Sequence, residues 1–161
     1  MITADAELVV RAPKYLSDRD IARFIAQKRV WIERNIARQA SRPKPVVLTD
    51  EERARWRQVA RERITERCRY FSELTGYRPA KVRITAARSR WGSCGAKGNI
   101  NFTWRLALAP PAVIDYVIVH ELAHLAELNH SARFWQRVSQ VVPDHRVHRR
   151  WLRDNGHLLA V

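Results

Sequence analysis

The spacing of apolar and polar residues predicts five helices along the chain. Isoleucines recur at near-helical spacing from Ile21 to Ile36, behind a capping sequence that begins at Ser17. A capping box at Thr49–Glu52 opens a second apolar face, which stops at Gly76. A pair of prolines precedes a third stretch that is apolar on most sides. The predicted helices span 18–39, 50–75, 112–128, 131–142 and 145–154.

Short runs of alternating or β-branched residues predict a small antiparallel or mixed sheet. The predicted strands are 7–13, 81–86, 89–94 and 99–108. The last two flank a glycine-containing turn at 95–98, so we expect them to form a hairpin. We also expect the 99–108 strand to be a sheet edge that holds an extended peptide by strand addition. The pattern therefore predicts a compact α+β fold.

The length of 161 residues predicts a single domain over 1–161, of which residues 1–45 are interpreted as a loosely attached strand–helix lobe. Six tryptophans and 46% hydrophobic residues exclude a wholly disordered chain. No apolar run approaches the ~18–20 residues that span a bilayer, so no membrane partner is expected. Residues 1–12 lack the pattern of a secretory signal, and the two cysteines are too few for a disulfide scaffold. We therefore expect a cytoplasmic protein with two free thiols.

Positive charge changes the picture of the possible partners. The formal net charge is +14, and residues 51–110 alone contribute +9 of it. Such a field attracts polyanions, which makes nucleic acid or a nucleotide a possible partner of the basic surface. An arginine-rich composition without any specific partner remains the alternative, and no obligate partner is evident.

The sequence His120-Glu121-Leu-Ala-His124 lies inside the most apolar predicted helix. Positions four apart differ by about 40° around a helix, so both imidazoles project from one face, one turn apart. A Zn²⁺ ion can accept a nitrogen from each at about 2.1 Å. Glu121 is offset in angle and is free to act on a water at the metal. The alternative is that these two histidines and Glu121 lie on an exposed helix face and are hydrogen-bonded there without a metal. It is less favoured, because this helix is otherwise apolar.

A catalytic zinc usually takes three protein ligands, and two residues are candidates for the third. Glu127 shares the face of His124, but it lies about 10.5 Å along the helix axis from His120, which is too far for one ion. His130 reaches the ion if the helix ends near Asn129, a residue type that tolerates the left-handed conformation at helix ends. We favour His130, with Glu127 as the alternative.

The remaining histidines are His145, His148 and His157. Each is predicted to be solvated or interfacial rather than a ligand, although one of them could stabilise an oxyanion. Tyr116, Trp91 and Cys94 are interpreted as packing residues around the helix that carries the motif.

Several motifs together resemble the YgjP-like metallopeptidase domain family, also called DUF45, which is related to the SprT-like and WLM zinc peptidases. They are Arg90-Trp-Gly-Ser-Cys94, Tyr116-Val-Ile-Val-His-Glu-Leu-Ala-His-Leu125, Asn129-His-Ser131 and Phe134-Trp135. The resemblance implies a compact zincin-like fold, with the pattern HExxH-x5-H on and after one helix. It also implies His120, His124 and His130 as metal ligands and Glu121 as general base.

These observations favour a zinc-dependent metallopeptidase that acts on a peptide or protein substrate, although another divalent transition metal could replace zinc. Two alternatives stay open at this point. One is a metal-dependent hydrolase of nucleotides or other phosphate esters, which the basic surface fits but the lack of a phosphate-binding loop disfavours. The other is a basic nucleic-acid-binding protein with a structural metal.

Overall fold

The computed structural model describes residues 1–3, 6–41, 43–44 and 47–159. The chain divides into two compact units, Met1–Lys44 and Pro45–Val161. The fold class is α+β, as the sequence pattern predicts, with six α-helices and one three-stranded mixed sheet in the described residues. No helix in these ranges is long and apolar enough to cross a membrane.

The first unit contains α1, Asp18–Gln27, and α2, Arg29–Ala40. The prediction of one helix over 18–39 is wrong, because Lys28 leaves the helical conformation with φ −99° and ψ 8°. No glycine or proline marks this break in the sequence. The spacing of the apolar residues on either side of Lys28 fits one continuous helix as well as it fits two helices. The predicted strand at 7–13 is also wrong: among the described residues these positions form only an isolated bridge, between Ile2 and Leu8, and find no longer partner to pair with.

The second unit begins with the longest helix, α3, Asp50–Thr75. Thr49 accepts a hydrogen bond from the Glu52 backbone, and the Glu52 carboxylate accepts one from the Thr49 backbone, which confirms the capping box. The helix ends at Gly76, whose φ of +75° is a left-handed conformation that glycine adopts without strain. Its buried face consists of Ala60, Ile64, Cys68 and Phe71.

The sheet consists of β1, Lys81–Thr85, β2, Gly92–Cys94, and β3, Asn99–Thr103. β2 and β3 form the predicted antiparallel hairpin, and β1 pairs with β3 in parallel. The strand order is β1-β3-β2, so β3 is central. The expectation that 99–108 is a peptide-binding edge is therefore wrong, because both sides of β3 are already paired. Residues Trp104–Leu108 leave the sheet as a 3₁₀ helix that is buried beside α3.

Three further helices complete the unit: α4, Pro111–Ala123, α5, Ala132–Val141, and α6, His145–Asn155. A short 3₁₀ helix, Gly156–Leu159, follows α6. The prediction that α4 runs to 128 is wrong at its end, because residues after Ala123 form hydrogen-bonded turns instead.

The core lies between α3, α4 and the sheet. Nine of the thirteen residues of α4 are buried, in keeping with its largely apolar sequence. Arg67 on α3 donates two hydrogen bonds, of 2.7 and 2.8 Å, to the Asp115 carboxylate on α4. This bidentate pair fixes the position of α4 along α3, and α4 in turn carries the site described next.

Candidate metal centre

Three histidines from one turn of α4 and the loop that follows it meet in a single cluster. Ligand atoms of His120, His124 and His130 all lie within 4.8 Å of one another, and Nε2 of His130 is 3.0 Å from Nε2 of His120. Among the described residues this is the only group of three or more histidine, cysteine or acidic side chains with that spacing. The structure thus brings together the three residues that the sequence proposes as ligands.

The path of the chain after α4 explains how His130 reaches the cluster. α4 ends at Ala123 with His124 as its C-cap, and backbone hydrogen bonds from Leu125 to Leu122 and from Ala126 to Ala123 then fold the chain into tight turns. Asn129 does not adopt the left-handed conformation that was expected to end the helix. The reversal starts five residues earlier than predicted and needs no such residue.

Ser131 stabilises the other end of this loop. Its side chain accepts a hydrogen bond from the Phe134 backbone at 3.3 Å and caps α5, as predicted. The loop that carries His130 is therefore held between two helix ends, although His130 itself is exposed.

Contacts outside the cluster orient one of the imidazoles. Nδ1 of His124 lies 3.0 Å from the carbonyl oxygen of Glu127, so a proton on Nδ1 leaves Nε2 free to bind a metal. The Glu127 side chain does not join the cluster; its carboxylate lies 3.6 Å from Arg137 Nε. Glu127 therefore acts on the site through its backbone, and the alternative of Glu127 as third ligand lacks geometric support.

Aromatic side chains from α5 form a wall against the cluster. The ring centroid of Phe134 lies 4.8, 4.5 and 4.7 Å from those of His120, His124 and His130. Trp135 stacks on His130 with ring centroids 5.7 Å apart. This packing restricts the rotation of the imidazoles and holds them ready to bind.

Glu121 occupies a buried position on the side of α4 that faces β2. The residue is 5% exposed, and burial raises the pKa of its carboxyl to about 7, against the opposing effect of Arg90. No described residue donates a hydrogen bond to this carboxylate. It therefore remains free to accept a proton from a bound molecule.

Gly92 makes the room for Glu121, and sequence reasoning missed this role. A Cβ atom on Gly92 would lie 2.6 Å from both Cγ and Oε1 of Glu121, which is far inside van der Waals contact. The only signal in the sequence was the position of Gly92 within the Arg90–Cys94 motif, which says nothing about its neighbour.

The surroundings of His120 and His130 favour the neutral form of their imidazoles. Burial lowers the pKa of His120 to about 3, and the charges of His124, His130 and Arg149 add to this effect. Burial, followed by His124 and Arg149, also lowers the pKa of His130. Neutral imidazole nitrogens are the donors that Zn²⁺ and related transition metals prefer, so this donor set fits such an ion.

The other candidate residues lie around the cluster rather than in it. Tyr116 is buried, with its ring centroid 5.9 Å from His120 and 6.2 Å from His148, and burial raises its pKa. His145 is buried beside Trp135, and His157 lines a separate cavity with Trp91. Cys94 is half-buried in β2 and contributes no ligand atom to the cluster.

Comparison with known proteins decides the family. The family model of the YgjP-like metallopeptidase domain matches residues 50–155, about two thirds of the chain. The chain belongs to this family. Its fold is similar to that of abylysin from Pyrococcus abyssi, solved in crystals as a metallopeptidase zymogen, with a TM-score of 0.51 and 24% identity over 55% of this chain and 91% of abylysin. No curated protein matches the sequence.

As a member of the YgjP-like family, the chain contains a metallopeptidase domain, and the three-histidine cluster lies within the matched residues. Both the matched domain and the cluster fall in the second unit of the fold.

Proposed function

We propose that this protein is a zinc-dependent peptidase that hydrolyses peptide bonds with an attacking water and Glu121 as general base. The proposal rests on one observation: the ligand atoms of three histidines lie within 4.8 Å of one another, and the residue after the first of them, Glu121, has a buried carboxylate that accepts no hydrogen bond from a described residue. Membership of a metallopeptidase family supports the same conclusion. His120, His124 and His130 would hold the metal.

The chemistry divides between the metal and the chain. When bound, a divalent metal polarises the scissile carbonyl and acidifies the attacking water. Glu121 accepts the proton of that water and passes it to the leaving nitrogen, so each bond change has a proton donor or acceptor in place. The raised pKa of Glu121, caused by its burial, suits a group that both takes and returns a proton.

The substrate would lie along β2 rather than along the strand first expected. β2 is an outer strand of the sheet and contains Gly92, the residue in contact with Glu121. An extended peptide that pairs with this edge would pass close to the general base.

The experiment is metal analysis combined with peptide cleavage on untagged protein. We expect about one zinc per wild-type chain, much less in His130→Ala, and full metal but no cleavage in Glu121→Gln. Glu127→Gln is the matched control, because it removes the same charge from a side chain directed away from the cluster. If Glu127→Gln loses the metal and His130→Ala retains it, the third ligand is Glu127 and not His130.

The same samples test the other two functions that the charge leaves open. Release of phosphate from nucleotides that is lost in Glu121→Gln, without any peptide cleavage, would replace the peptidase proposal by a phosphate-ester hydrolase. Salt-sensitive nucleic-acid binding with no hydrolysis would leave a binding protein with a structural metal.

A further inference from the structure

A cavity lies beside the metal centre, between α5 and α6, and the mechanism proposed above makes no use of it. Its volume is about 570 Å³. The side chains that line it include Trp135, Gln136, Ser139, His145, Arg146 and Arg149. None of these is a metal-binding histidine, and none is acidic.

Trp135 connects this cavity, which we call the α5–α6 groove, to the metal centre. Its indole lies nearly parallel to the His130 ring, with centroids 5.7 Å apart and an angle of 23°. It lies equally parallel to the His145 ring, at 5.4 Å and 21°. The groove therefore begins one aromatic ring away from the histidines proposed to hold the metal.

The groove is positively charged. The Arg149 guanidinium lies 5.1 Å from the Trp135 ring centroid, so a cation–π contact holds it over the indole. No ion pair joins Arg146 or Arg149 to a carboxylate in the part of the chain that the structure describes.

A buried polar atom in the same groove has no partner. His145 is only 8% exposed, and its Nδ1 makes no hydrogen bond to any described residue. Buried polar groups in folded proteins are nearly always hydrogen-bonded, and a group left alone is costly. Nδ1 itself is closed to solvent, so the groove offers a ligand its two arginines, and a carboxylate bound there would give them a counter-charge.

We propose that the α5–α6 groove is a substrate subsite that binds a carboxylate of the peptide next to the bond that is cleaved. The proposal rests on the peptidase function proposed above and names its substrate class. A carboxylate matches a guanidinium in shape and charge, whereas a neutral side chain would leave both arginines without a counter-charge. The carboxylate can belong to an acidic side chain or to the C-terminus of the peptide.

The test compares three peptides that differ only in this group. The first contains glutamate and has an amidated C-terminus, the second replaces glutamate by glutamine, and the third is the glutamine peptide with a free C-terminus. At fixed, near-physiological ionic strength, we expect KM to be about tenfold lower for one of the anionic peptides than for the neutral one. Preference for the first assigns the subsite to an acidic side chain, and preference for the third assigns it to a terminal carboxylate.

Variants of α6 locate the effect. Arg149→Gln should remove most of this preference by raising KM for the anionic peptide, with little change for the neutral one, and Arg149→Glu should reverse it. Arg150→Gln is the matched control, because it deletes the same charge from the neighbouring position of the helix but does not line the groove. A merely structural role of Arg149 would alter cleavage of all three peptides alike.

Failure of the subsite and failure of the peptidase are distinguishable. Equal KM values for the three peptides would overturn the subsite and leave the peptidase function intact. If no peptide is cleaved, calorimetric titration of the metal-loaded protein with N-acetylglutamate amide, N-acetylglutamine and N-acetylglutamine amide still tests the groove. Selective binding of one of the two anionic compounds, weakened about tenfold by Arg149→Gln, would support it, and equal or no binding of all three compounds would overturn it.

Discussion

Gly92→Ala is the substitution whose effect the structure defines most sharply. The new Cβ would lie 2.6 Å from Cγ and Oε1 of Glu121 and 2.8 Å from Cδ, whereas non-bonded carbon atoms settle at about 3.5–4.0 Å. The overlap is therefore about 1 Å. Gly92 is not in the left-handed region of backbone conformation, so this contact, and not backbone strain, determines the outcome.

The overlap can be relieved in two ways that differ in their consequences. If β2 and α4 move apart, overpacking of this kind costs about 1–3 kcal/mol of stability. If the Glu121 carboxylate moves instead, stability changes less, but a displacement of about 1 Å at a general base lowers kcat by about 100-fold. Because the atoms in collision are the far end of a side chain, we expect the second result to dominate.

The assay is kcat for peptide cleavage, measured beside the midpoint of urea unfolding and the zinc content. Gly95→Ala is the control, because its Cβ would be 3.7 Å from the nearest atom, the Asn99 carbonyl oxygen, and should change none of the three. In a Glu121→Ala background, Gly92→Ala should have no further effect on activity. A folded Gly92→Ala protein with wild-type kcat would refute the argument that Gly92 positions Glu121.

Three other predictions follow from separate parts of the structure. Chelation of the metal should lower the unfolding temperature, and adding zinc at 1,000 times its dissociation constant should restore about 4 kcal/mol in wild type but much less in His130→Ala, measured by thermal denaturation. Asp115→Asn should lower stability by about 1 kcal/mol without loss of zinc, because it breaks the partly exposed pair with Arg67; an unchanged urea midpoint would show that the pair contributes nothing. Burial raises the pKa of both thiols, and Glu121 adds to the effect at Cys94. Alkylation of Cys94, followed by mass spectrometry, should therefore be slower than that of free cysteine at pH 7, and its rate should still rise at a pH where that of free cysteine has levelled off. Cys68 is buried and should react only on unfolding.

Local signals in the sequence predicted those parts of the fold that depend on near neighbours. The capping box at Thr49 and the glycine at 76 set both ends of α3, because each acts through bonds to residues within one helical turn. The end of α4 was missed for the opposite reason: residues 124–128 continue an acceptable helical pattern, and no local signal marks the point after Ala123 where the chain leaves the helix.

The sheet shows the same limit. Alternation of side chains located β1, and the glycine-containing turn located β2 and β3 on either side of it, but the order in which strands pair depends on contacts between distant residues. The parallel pairing of β1 with β3 places β3 in the centre, and no feature of residues 99–103 alone distinguishes a central strand from an edge strand. The prediction of peptide binding failed at this step.

The candidate site divides in the same way between what helix geometry dictates and what packing adds. Residues at i and i+4 share a face, which is why His120 and His124 could be paired from the sequence, while the residue at i+1 points about 100° away. That angle directs Glu121 toward β2, where only a glycine leaves room for it, and directs the histidines toward α5 and its aromatic wall. In this structure α4 presents the ligands on one side and the base on another, and a different element packs against each side. The spacing of the motif sets the directions of the three side chains. Gly92 and Trp135, which are far apart in the chain, supply the packing on the two sides.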